Sequence, residues 1–551
     1  MLDEFVPTSL MRRTALFIFI FVLLLASHWS LLRLPYFWDE AGYYVPAAYD
    51  IFTRGDFIPH STLTNAHPPL VMAYLALAWK LFGYAPAVTH TAILLISALA
   101  LLGVFVLAQH VANRAVAAAS TLCTALYPVF FAQSSLAQVD LAVTAFTLWG
   151  VFFYLKRRRW LCVAAFALAA LSKETAIITP AALFAWEAIR KSPEAPAASF
   201  FQRAVRSTWL LLPALPLAAW FAYHYAHTGY VFGNPQFFRY NVDSTLQPLR
   251  IVFAFILRVW QLVGHANLYL LTLAMVLAMF LPARSDAGVP RERIALPHQF
   301  VFAVVMAAYL AVLSLIGGAV LARYMLPAIP LVIIISVSTV WRRIPGWPVL
   351  ITLVCAAFVA GLLINPPYVF APEDSLAYRD FVVLHQQAAG MMEERFPQAR
   401  VLTAWPATDE LSKPYLGYVN TPHKVLQLES FTREDLEAAS QSTEFDMAVI
   451  FSRKYEPPRR LPVPEFWKHT QTRFFDYHPD TPPELAAQIL GGSVLWKAHR
   501  SGQWIAIITI PQIRNAELRR RLGLPFSNLR SPGLPMQSAP STPLAASGSN
   551  L

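Results

Sequence analysis

Long apolar stretches separated by short polar segments dominate the first two thirds of the chain. Because about 20 apolar residues suffice to cross the hydrocarbon core of a bilayer as a helix, this pattern predicts a polytopic α-helical membrane protein. The segment 250–264 is also apolar, but Arg258 interrupts it, which favours a helix lying along the membrane surface. About eleven spans are predicted, the fifth of them short, near residues 14–33, 88–109, 115–131, 139–155, 160–172, 174–190, 207–227, 266–282, 300–318, 321–341 and 346–364.

The pattern changes after residue 364. Short apolar runs, typical of buried strands, now alternate with helix-like segments, and a capping motif begins at Thr432. The sequence therefore predicts a transmembrane domain at 1–364, a soluble α/β domain at 365–525 and a disordered tail at 526–551, rich in Ser, Pro and Gly. The predicted elements of the α/β domain are a helix at 376–395, strands at 400–404, 424–428 and 445–451, and a hairpin of 494–499 with 503–510.

Charge is scarce and unevenly placed. Only 14% of the 551 residues are charged, and the net charge is +11. If the N-terminus lies in the cytoplasm, every strongly basic loop falls on the cytoplasmic side, which accounts for much of the positive charge without a nucleic-acid partner. An odd number of spans then places the α/β domain outside the cytoplasm, and a cell (inner) membrane location is expected, with membrane lipids as partners. The basic loops contain Arg114, 156–159, Arg190, Lys191, Arg203, Arg206, Arg284, Arg291, Arg293, Arg342 and Arg343.

Two adjacent carboxylates, Asp39 and Glu40, directly follow the first predicted span. Carboxylates at a membrane surface are costly unless they are solvated or used, so the pair indicates chemistry at the outer face. Tyr43 and His67 lie in the same predicted outer loop, 34–87. The alternative is that Asp39 only caps a helix.

Further polar groups lie where later spans reach the same predicted face. Lys173 and Glu174 lie between the fifth and sixth spans, and their charges could simply neutralise each other. Arg323 could merely extend to lipid phosphate. Together with a carboxylate, however, such cations indicate an anionic substrate and a general base. The two remaining groups are Asp140, at the start of the fourth span, and Tyr324, at the tenth.

These motifs, in this order, resemble those of the GT-C glycosyltransferase superfamily, in the branch of protein O-mannosyltransferases and aminoarabinose lipid A transferases. The resemblance covers about 1–364 and rests on Asp39-Glu40, Pro-Pro-Leu at 68–70, Ser-Lys-Glu-Thr-Ala at 172–176 and RYMLPAIP at 323–330. It implies transfer of a hexosyl or pentosyl group from a polyprenyl-phosphate donor to an acceptor outside the cytoplasm. By the same resemblance Asp39 matches the catalytic carboxylate of the first outer loop, while Arg323 and, more loosely, Lys173 bind donor. Glu40, beside Asp39, is expected to take part in catalysis by positioning Asp39 or binding the acceptor.

The chemistry that this predicts needs no cofactor. Asp39 would accept a proton from the acceptor as it attacks the anomeric carbon, and the single displacement would invert that centre. Tyr43, His67, Asp140, Glu174 and Tyr324 are expected to bind substrate, and no metal site is expected. The sequence leaves the sugar and the acceptor open, and two other classes remain: a membrane transporter, and a non-enzymatic sensor or assembly protein that binds partners through its α/β domain.

Overall fold

The helices and strands below come from a computed structural model, which describes residues 7–65, 67–191, 199–286, 288–455, 464–475 and 477–511. The predicted tail at 526–551 lies outside these residues. The chain forms two compact units. The helical unit comprises the described residues of Met1–Arg33, Ala47–Pro366 and Glu373–Leu376, and the α/β unit comprises those of Leu34–Pro46, Pro367–Pro372 and Ala377–Leu551. The division into domains at residue 364 stays a prediction, and the units differ from it in assigning 34–46 to the α/β unit.

Helices form most of the described chain up to residue 363, and each predicted span contains one. They are α1 (Pro7–Ser27), α2 (Val45–Arg54), α3 (Leu70–Phe82), α4 (Pro86–Val111), α5 (Arg114–Leu126), α6 (Pro128–Gln133), α7 (Asp140–Leu155), α8 (Arg159–Ser172), α9 (Ile178–Ile189), α10 (Phe200–Ser207), α11 (Ala214–Thr228), α12 (Pro235–Asn241), α13 (Pro248–Val263), α14 (Leu268–Ala278), α15 (Leu296–Leu315), α16 (Ile329–Arg343) and α17 (Trp347–Leu363). Two short strands, β1 (Ser285–Asp286) and β2 (Val289–Pro290), pair in antiparallel orientation.

The core of the helical unit is built on α4, which packs against α1, α5 and α7. Its side chains are apolar around most of its circumference, as expected for a helix enclosed by neighbours. Helix α7 packs tightly on α8: a Cβ added at Gly150 would lie 2.3 Å from the ring of Phe166. Glycine at this position is what permits the close approach of the two helices.

Two described helices are each long and apolar enough to cross a membrane, Pro86–Val111 and Leu296–Leu315. The number rises to four if two bent pairs each count as one span: Phe200–Leu211 with Ala214–Thr228, and Phe237–Thr245 with Pro248–Val263. The described residues therefore do not confirm the count of eleven spans, because most of the predicted spans are shorter or broken helices. The predicted orientation stays a prediction.

The α/β unit contains a five-stranded mixed sheet with strand order β4-β3-β5-β7-β6. Strands β3, β4 and β5 are parallel, with Val401 opposite Val425 on one side and Met447 on the other. Strands β6 and β7 complete the sheet as an antiparallel hairpin. Ser501 and Gly502, at φ of 49° and 86°, form its turn. The strands are β3 (Arg400–Ala404), β4 (Lys424–Leu428), β5 (Met447–Phe451), β6 (Ser493–Arg500) and β7 (Gln503–Thr509).

These positions confirm the predicted strands, the hairpin and the first helix of this unit. Strand β5 is buried along its whole length, as its unbroken apolar run indicated. The Thr432 hydroxyl accepts a hydrogen bond from the Asp435 N–H and caps the helix that follows, as predicted. The helices are α18 (Ala377–Arg395), which packs on β6 and β7, α19 (Ala407–Ser412), α20 (Arg433–Ser440), α21 (Glu465–Phe475) and α22 (Pro483–Leu490).

Candidate active site

The helical unit brings Asp140 and Lys173 together at one end of a helix pair. Asp140 opens α7 and Lys173 directly follows α8, so the tight connection at 156–158 places the start of one helix beside the end of the other. Lys173 Nζ lies 2.8 Å from Asp140 Oδ1, and both side chains are buried. Burying one of these charges alone would be costly, so each makes the other's burial possible.

Arg323 joins this pair from the short helix Ala322–Met325. Its Nε lies 3.4 Å from Asp140 Oδ2, and its Nη1 lies 2.9 Å from Glu373 Oε2. The same Nη1 donates to Gln138 Oε1, and Gln138 Nε2 donates to Glu373 Oε2 at 3.2 Å. Only 2% of the Arg323 side chain is exposed. Arg323 is therefore a buried, paired ion, and the alternative that it reaches out to lipid phosphate is wrong.

The ring of Tyr324 lies at the centre of three cations. Lys173 Nζ is 3.8 Å from its centroid, and the guanidinium carbons of Arg323 and Arg258 are 5.4 and 5.5 Å away. Tyr324 is partly exposed, whereas the three cations are buried. Asp140 and Glu373 pair with two of these cations, and the carboxylate of Glu174 follows Lys173 in the chain. Three cations thus converge on one partly exposed ring, which favours an anion beside it.

Arg258 differs from the other two cations, because its hydrogen-bond partners are neutral. Its Nη1 donates to Leu321 O at 2.7 Å and to Gln261 Oε1 at 2.9 Å. No part of the Arg258 side chain is exposed, whereas Val252 and Ile256 on the same helix are exposed. One face of α13 thus points into the protein and carries polar groups that the neighbouring backbone requires. The predicted position of the segment 250–264 along the membrane surface stays a prediction.

That backbone is the non-helical segment 316–321, which leads into Arg323. Gln261 Nε2 donates to Val320 O at 2.7 Å, and Arg250 Nη2 donates to Gly317 O and Gly318 O at 2.9 Å each. Carbonyls that leave a helix inside a membrane protein need such donors. The polar face of α13 therefore holds the segment that presents Arg323.

His67 and Glu174 form a separate pair, with Nδ1 2.8 Å from Oε2. Lys173 thus pairs with Asp140, and the alternative that Lys173 and Glu174 simply neutralise each other is wrong. The helix break between them explains this: Lys173 has extended backbone and ends α8, while Glu174 begins the next short helix. Adjacent side chains consequently point to different partners.

Glu373 and Asp374 are functional candidates that the sequence analysis missed. Glu373 binds Arg323, and Asp374 Oδ2 lies 2.8 Å from His265 Nε2, with both side chains buried. The pattern that singled out Asp39 and Glu40, two adjacent carboxylates after a predicted span, also occurs here, because Glu373 and Asp374 follow the last predicted span.

Asp39 and Glu40 belong to the α/β unit, in the segment 34–46. Their predicted convergence with Arg323 and Lys173 therefore stays a prediction. Glu40 is fully buried, and its Oε2 accepts the Phe37 N–H at 2.8 Å. Asp39 precedes the π-helix Glu40–Tyr44 but makes no side-chain capping hydrogen bond, contrary to the capping alternative. Within the run 35–46 Asp39 and Tyr43 remain partly exposed, four residues apart, while their neighbours are buried.

Trp38 stores backbone strain next to Asp39. Its φ is 44°, a left-handed value that bulky side chains rarely adopt. Such a conformation costs about 1–3 kcal/mol and persists only where the surroundings enforce it. Strain of this kind is concentrated at functional sites, so its position beside Asp39 favours a functional role for that carboxylate.

Buried ion pairs at helix ends, beside a third cation whose hydrogen-bond partners are neutral, are suited to an anionic ligand. These side chains can stabilise charge through their cations and transfer protons through their carboxylates. Among the described residues no group of three or more His, Cys, Asp or Glu side chains is arranged to hold a metal ion.

Residues 66–220 match the sequence model of the family described as dolichyl-phosphate-mannose-protein mannosyltransferase. The crystal structure of ArnT from Cupriavidus metallidurans in the apo state matches with a TM-score of 0.50 and 13% identity, over 89% of this chain and 97% of that chain. The same protein bound to undecaprenyl phosphate matches equally well, with a TM-score of 0.50 and 13% identity over 90% of this chain and 97% of that chain. The apo oligosaccharyltransferase of Archaeoglobus fulgidus is more distant, with a TM-score of 0.44 and 10% identity over 80% of this chain and 69% of that chain. No curated protein sequence matches the chain.

These comparisons confirm the predicted resemblance. The chain shares the fold of ArnT, and residues 66–220 are similar in sequence to the mannosyltransferase family. Asp140, Lys173 and Glu174 lie within the matched range, as does His67.

Proposed function

We propose that this protein transfers a hexosyl or pentosyl group from a polyprenyl-phosphate donor to an acceptor outside the cytoplasm. The observation that carries the proposal is the buried ion cluster around Tyr324, since two of its members, Asp140 and Lys173, lie within the range that matches the mannosyltransferase family. ArnT was crystallised with undecaprenyl phosphate, a lipid phosphate of the kind proposed here.

In the proposed mechanism the cation cluster binds the donor phosphate. The three cations beside Tyr324 meet the phosphate, and Arg323 and Lys173 remain anchored by Asp140 and Glu373. Because these groups are held in place before the donor arrives, they stabilise the leaving phosphate without reorganisation. The bond between the anomeric carbon and the phosphate oxygen breaks, and polyprenyl phosphate leaves with the bonding electrons.

Asp39 is the proposed general base. It takes the proton of the acceptor hydroxyl or amine while that atom attacks the anomeric carbon, with inversion of configuration. Glu40 positions Asp39, because its carboxylate binds the Phe37 N–H and thereby fixes the turn that contains Asp39. This role accords with the full burial of Glu40 and the partial exposure of Asp39.

The proposed location is the cell (inner) membrane, with Asp39 and the α/β unit on its outer side. Reporter fusions after residues 156 and 342 should report a cytoplasmic position, and fusions at 60, 235 and 450 an external one. A cytoplasmic signal at 450 would contradict this orientation.

The function is tested with purified protein in lipid nanodiscs. Polyprenyl phosphates carrying a hexose or a pentose are supplied with lipid, glycan and peptide acceptors, and released polyprenyl phosphate and sugar-bearing product are measured by mass spectrometry. We expect the unmodified protein to form product with at least one combination of donor and acceptor, and Arg323→Ala to form none. Arg323→Lys should retain part of the turnover, because it keeps the charge but loses the bidentate geometry of the guanidinium. Vectorial movement of a solute into vesicles, without any glycosidic product, would favour a transporter instead.

A further inference from the structure

The segment 34–46 contains the proposed base, yet it is built into the α/β unit by aromatic side chains. The Phe37 and Trp38 rings contact Phe381 edge to face, with centroids 5.3 and 5.4 Å apart. The Trp38 ring also contacts Trp405, at 5.3 Å and nearly perpendicular. Perpendicular ring packing of this kind is sensitive to both distance and angle, so it orients the residues it joins.

Trp405 contacts the segment on both sides of Asp39. Besides Trp38, its ring lies 5.4 Å from that of Tyr43, on the following turn. The space between these contacts is taken up by the backbone of Gly42, where an added Cβ would lie 2.3 Å from the Trp405 indole. The short helix and the indole are therefore in direct contact, and the fit depends on the absence of a side chain at residue 42.

Tyr418 adds a hydrogen bond at the start of the segment. Its hydroxyl donates to Tyr36 O at 2.9 Å. Burial raises the pKa of Tyr418, and the carboxylates of Glu410 and Glu40 raise it further, so the hydroxyl keeps its proton and remains a donor. Tyr36 is itself completely buried.

The strained backbone explains why so many contacts are present. Trp38 has a φ of 44°, and a free chain would relax from this conformation. Contacts on both sides of Trp38, from Phe381 and Trp405, oppose that relaxation. The same contacts leave Asp39 and Tyr43 as the partly exposed positions of the segment.

From this arrangement we propose that the α/β unit is a positioning element for catalysis, in which Trp405 and Tyr418 hold the segment 34–46 in the conformation that aims Asp39 at its substrate. The inference rests on the proposed function, in which Asp39 is the base. Neither residue touches the reacting atoms in this proposal. Both act through the backbone of residues 36–42.

The test is a double-mutant cycle between Gly42 and Trp405. Gly42→Ala introduces the Cβ that meets the indole, and we expect its kcat to fall by about 10²-fold, the scale of a displacement of about 1 Å in a reacting group. KM for the polyprenyl-phosphate donor should change by less than about threefold, because the cation cluster is untouched. Trp405→Leu removes the obstruction together with two ring contacts, and we expect a smaller loss of kcat.

The double variant distinguishes positioning from general damage. Adding Trp405→Leu to Gly42→Ala should raise kcat above that of Gly42→Ala alone, because the added methyl group then has room. Additive losses in the double variant would overturn the proposed contact. The matched control is Gly390→Ala in α18 of the same unit, where an added Cβ meets no atom within 4 Å and kcat should remain unchanged.

A second measurement does not depend on the proposed function. Hydrogen–deuterium exchange of the peptide 34–46 should be faster in Gly42→Ala and in Tyr418→Phe than in the unmodified protein, and slower again in the Gly42→Ala, Trp405→Leu double variant. Faster exchange with unchanged kcat would overturn the positioning role. If the unmodified protein transfers no sugar but these exchange differences are found, the proposed function fails while the docking of the segment stands.

Discussion

The two units of this protein hold their candidate groups by different forces. In the helical unit, Lys173 and Arg323 are fixed by ion pairs to Asp140 and Glu373, all of them buried. In the α/β unit, the segment with Asp39 is fixed mainly by ring packing on Phe381 and Trp405. The difference follows from what each group must do.

Cations that are to meet a lipid phosphate must stay charged in an apolar setting, which requires nearby carboxylates. A base that is to accept a proton must instead be held within reach of that proton, which requires a fixed backbone. Ring packing can hold a backbone in place without adding charge. The comparison therefore predicts that variants in the helical unit act through charge and variants in the α/β unit through geometry.

The largest expected effect is that of Asp39→Asn. Asparagine keeps the size of the side chain but cannot accept the proton, so turnover should fall by at least about 10²–10⁴-fold, the usual contribution of a general base. The thermal unfolding of the purified protein should remain unchanged. Glu40→Gln serves as the adjacent comparison and should lose less activity, since an amide oxygen can still accept the Phe37 N–H. Near-normal turnover of Asp39→Asn would remove Asp39 from the mechanism.

Next in size is the loss of stability on breaking the buried ion pair. Asp140→Ala leaves Lys173 without its 2.8 Å partner, and removing one member of a buried pair typically costs about 3–5 kcal/mol. Thermal and denaturant unfolding in detergent measure this. Adding Lys173→Met to Asp140→Ala should recover part of the stability.

An exposed pair provides the control for that experiment. Asp286→Ala removes the partner of Arg291, but 61% of the Asp286 side chain is exposed, so the loss of stability should be much smaller than that of Asp140→Ala. Equal losses of stability for Asp140→Ala and Asp286→Ala would contradict the expectation that the buried ion pair contributes more to stability than the exposed one.

A smaller effect is expected at Arg258, the cation with neutral partners. Arg258→Met removes one of the three positive charges around Tyr324, so the affinity for a polyprenyl-phosphate donor should fall by about 10–100-fold, as for a lost hydrogen bond to a charged group. Arg258→Lys retains the charge and should retain more of the affinity. Binding of the donor lipid, measured by native mass spectrometry, checks both. If the unmodified protein and both variants bind the donor with the same affinity, the role of Arg258 is limited to holding the segment 316–321.

The smallest expected effect belongs to the surface of the α/β unit. Thr432→Ala removes the hydroxyl that caps α20 and should lower stability by about 1 kcal/mol. Turnover should be unaffected, because the cap lies outside the contacts made with the segment 34–46. A loss of turnover comparable to that of Gly42→Ala would mean that any loss of stability in this unit impairs catalysis, which would weaken the specific role of Trp405.

Much of the local structure was predictable from sequence. The strands at 400–404 and 424–428 were predicted to the residue, and the hairpin and Thr432 cap were found where their motifs occur. Each predicted span contains a helix, and the motif order indicated the GT-C fold. These features depend on neighbours a few residues apart, so periodicity, apolar runs and turn residues are sufficient to specify them.

Partner choice was decided by the tertiary structure. Glu174 is adjacent to Lys173 in sequence, yet Lys173 binds Asp140, 33 residues away, because the break between α8 and the next helix turns the two side chains apart. Arg258 interrupts an apolar segment, and a lone charge at such a position would be expected to reach solvent. Carbonyls more than 50 residues away accept its hydrogen bonds and make its burial favourable. The segment 34–46 follows the first predicted span and nevertheless packs with residues beyond 377. The sequence shows which groups are charged or apolar, whereas the free energy of burying a charge depends on partners that only the folded chain brings within hydrogen-bonding distance.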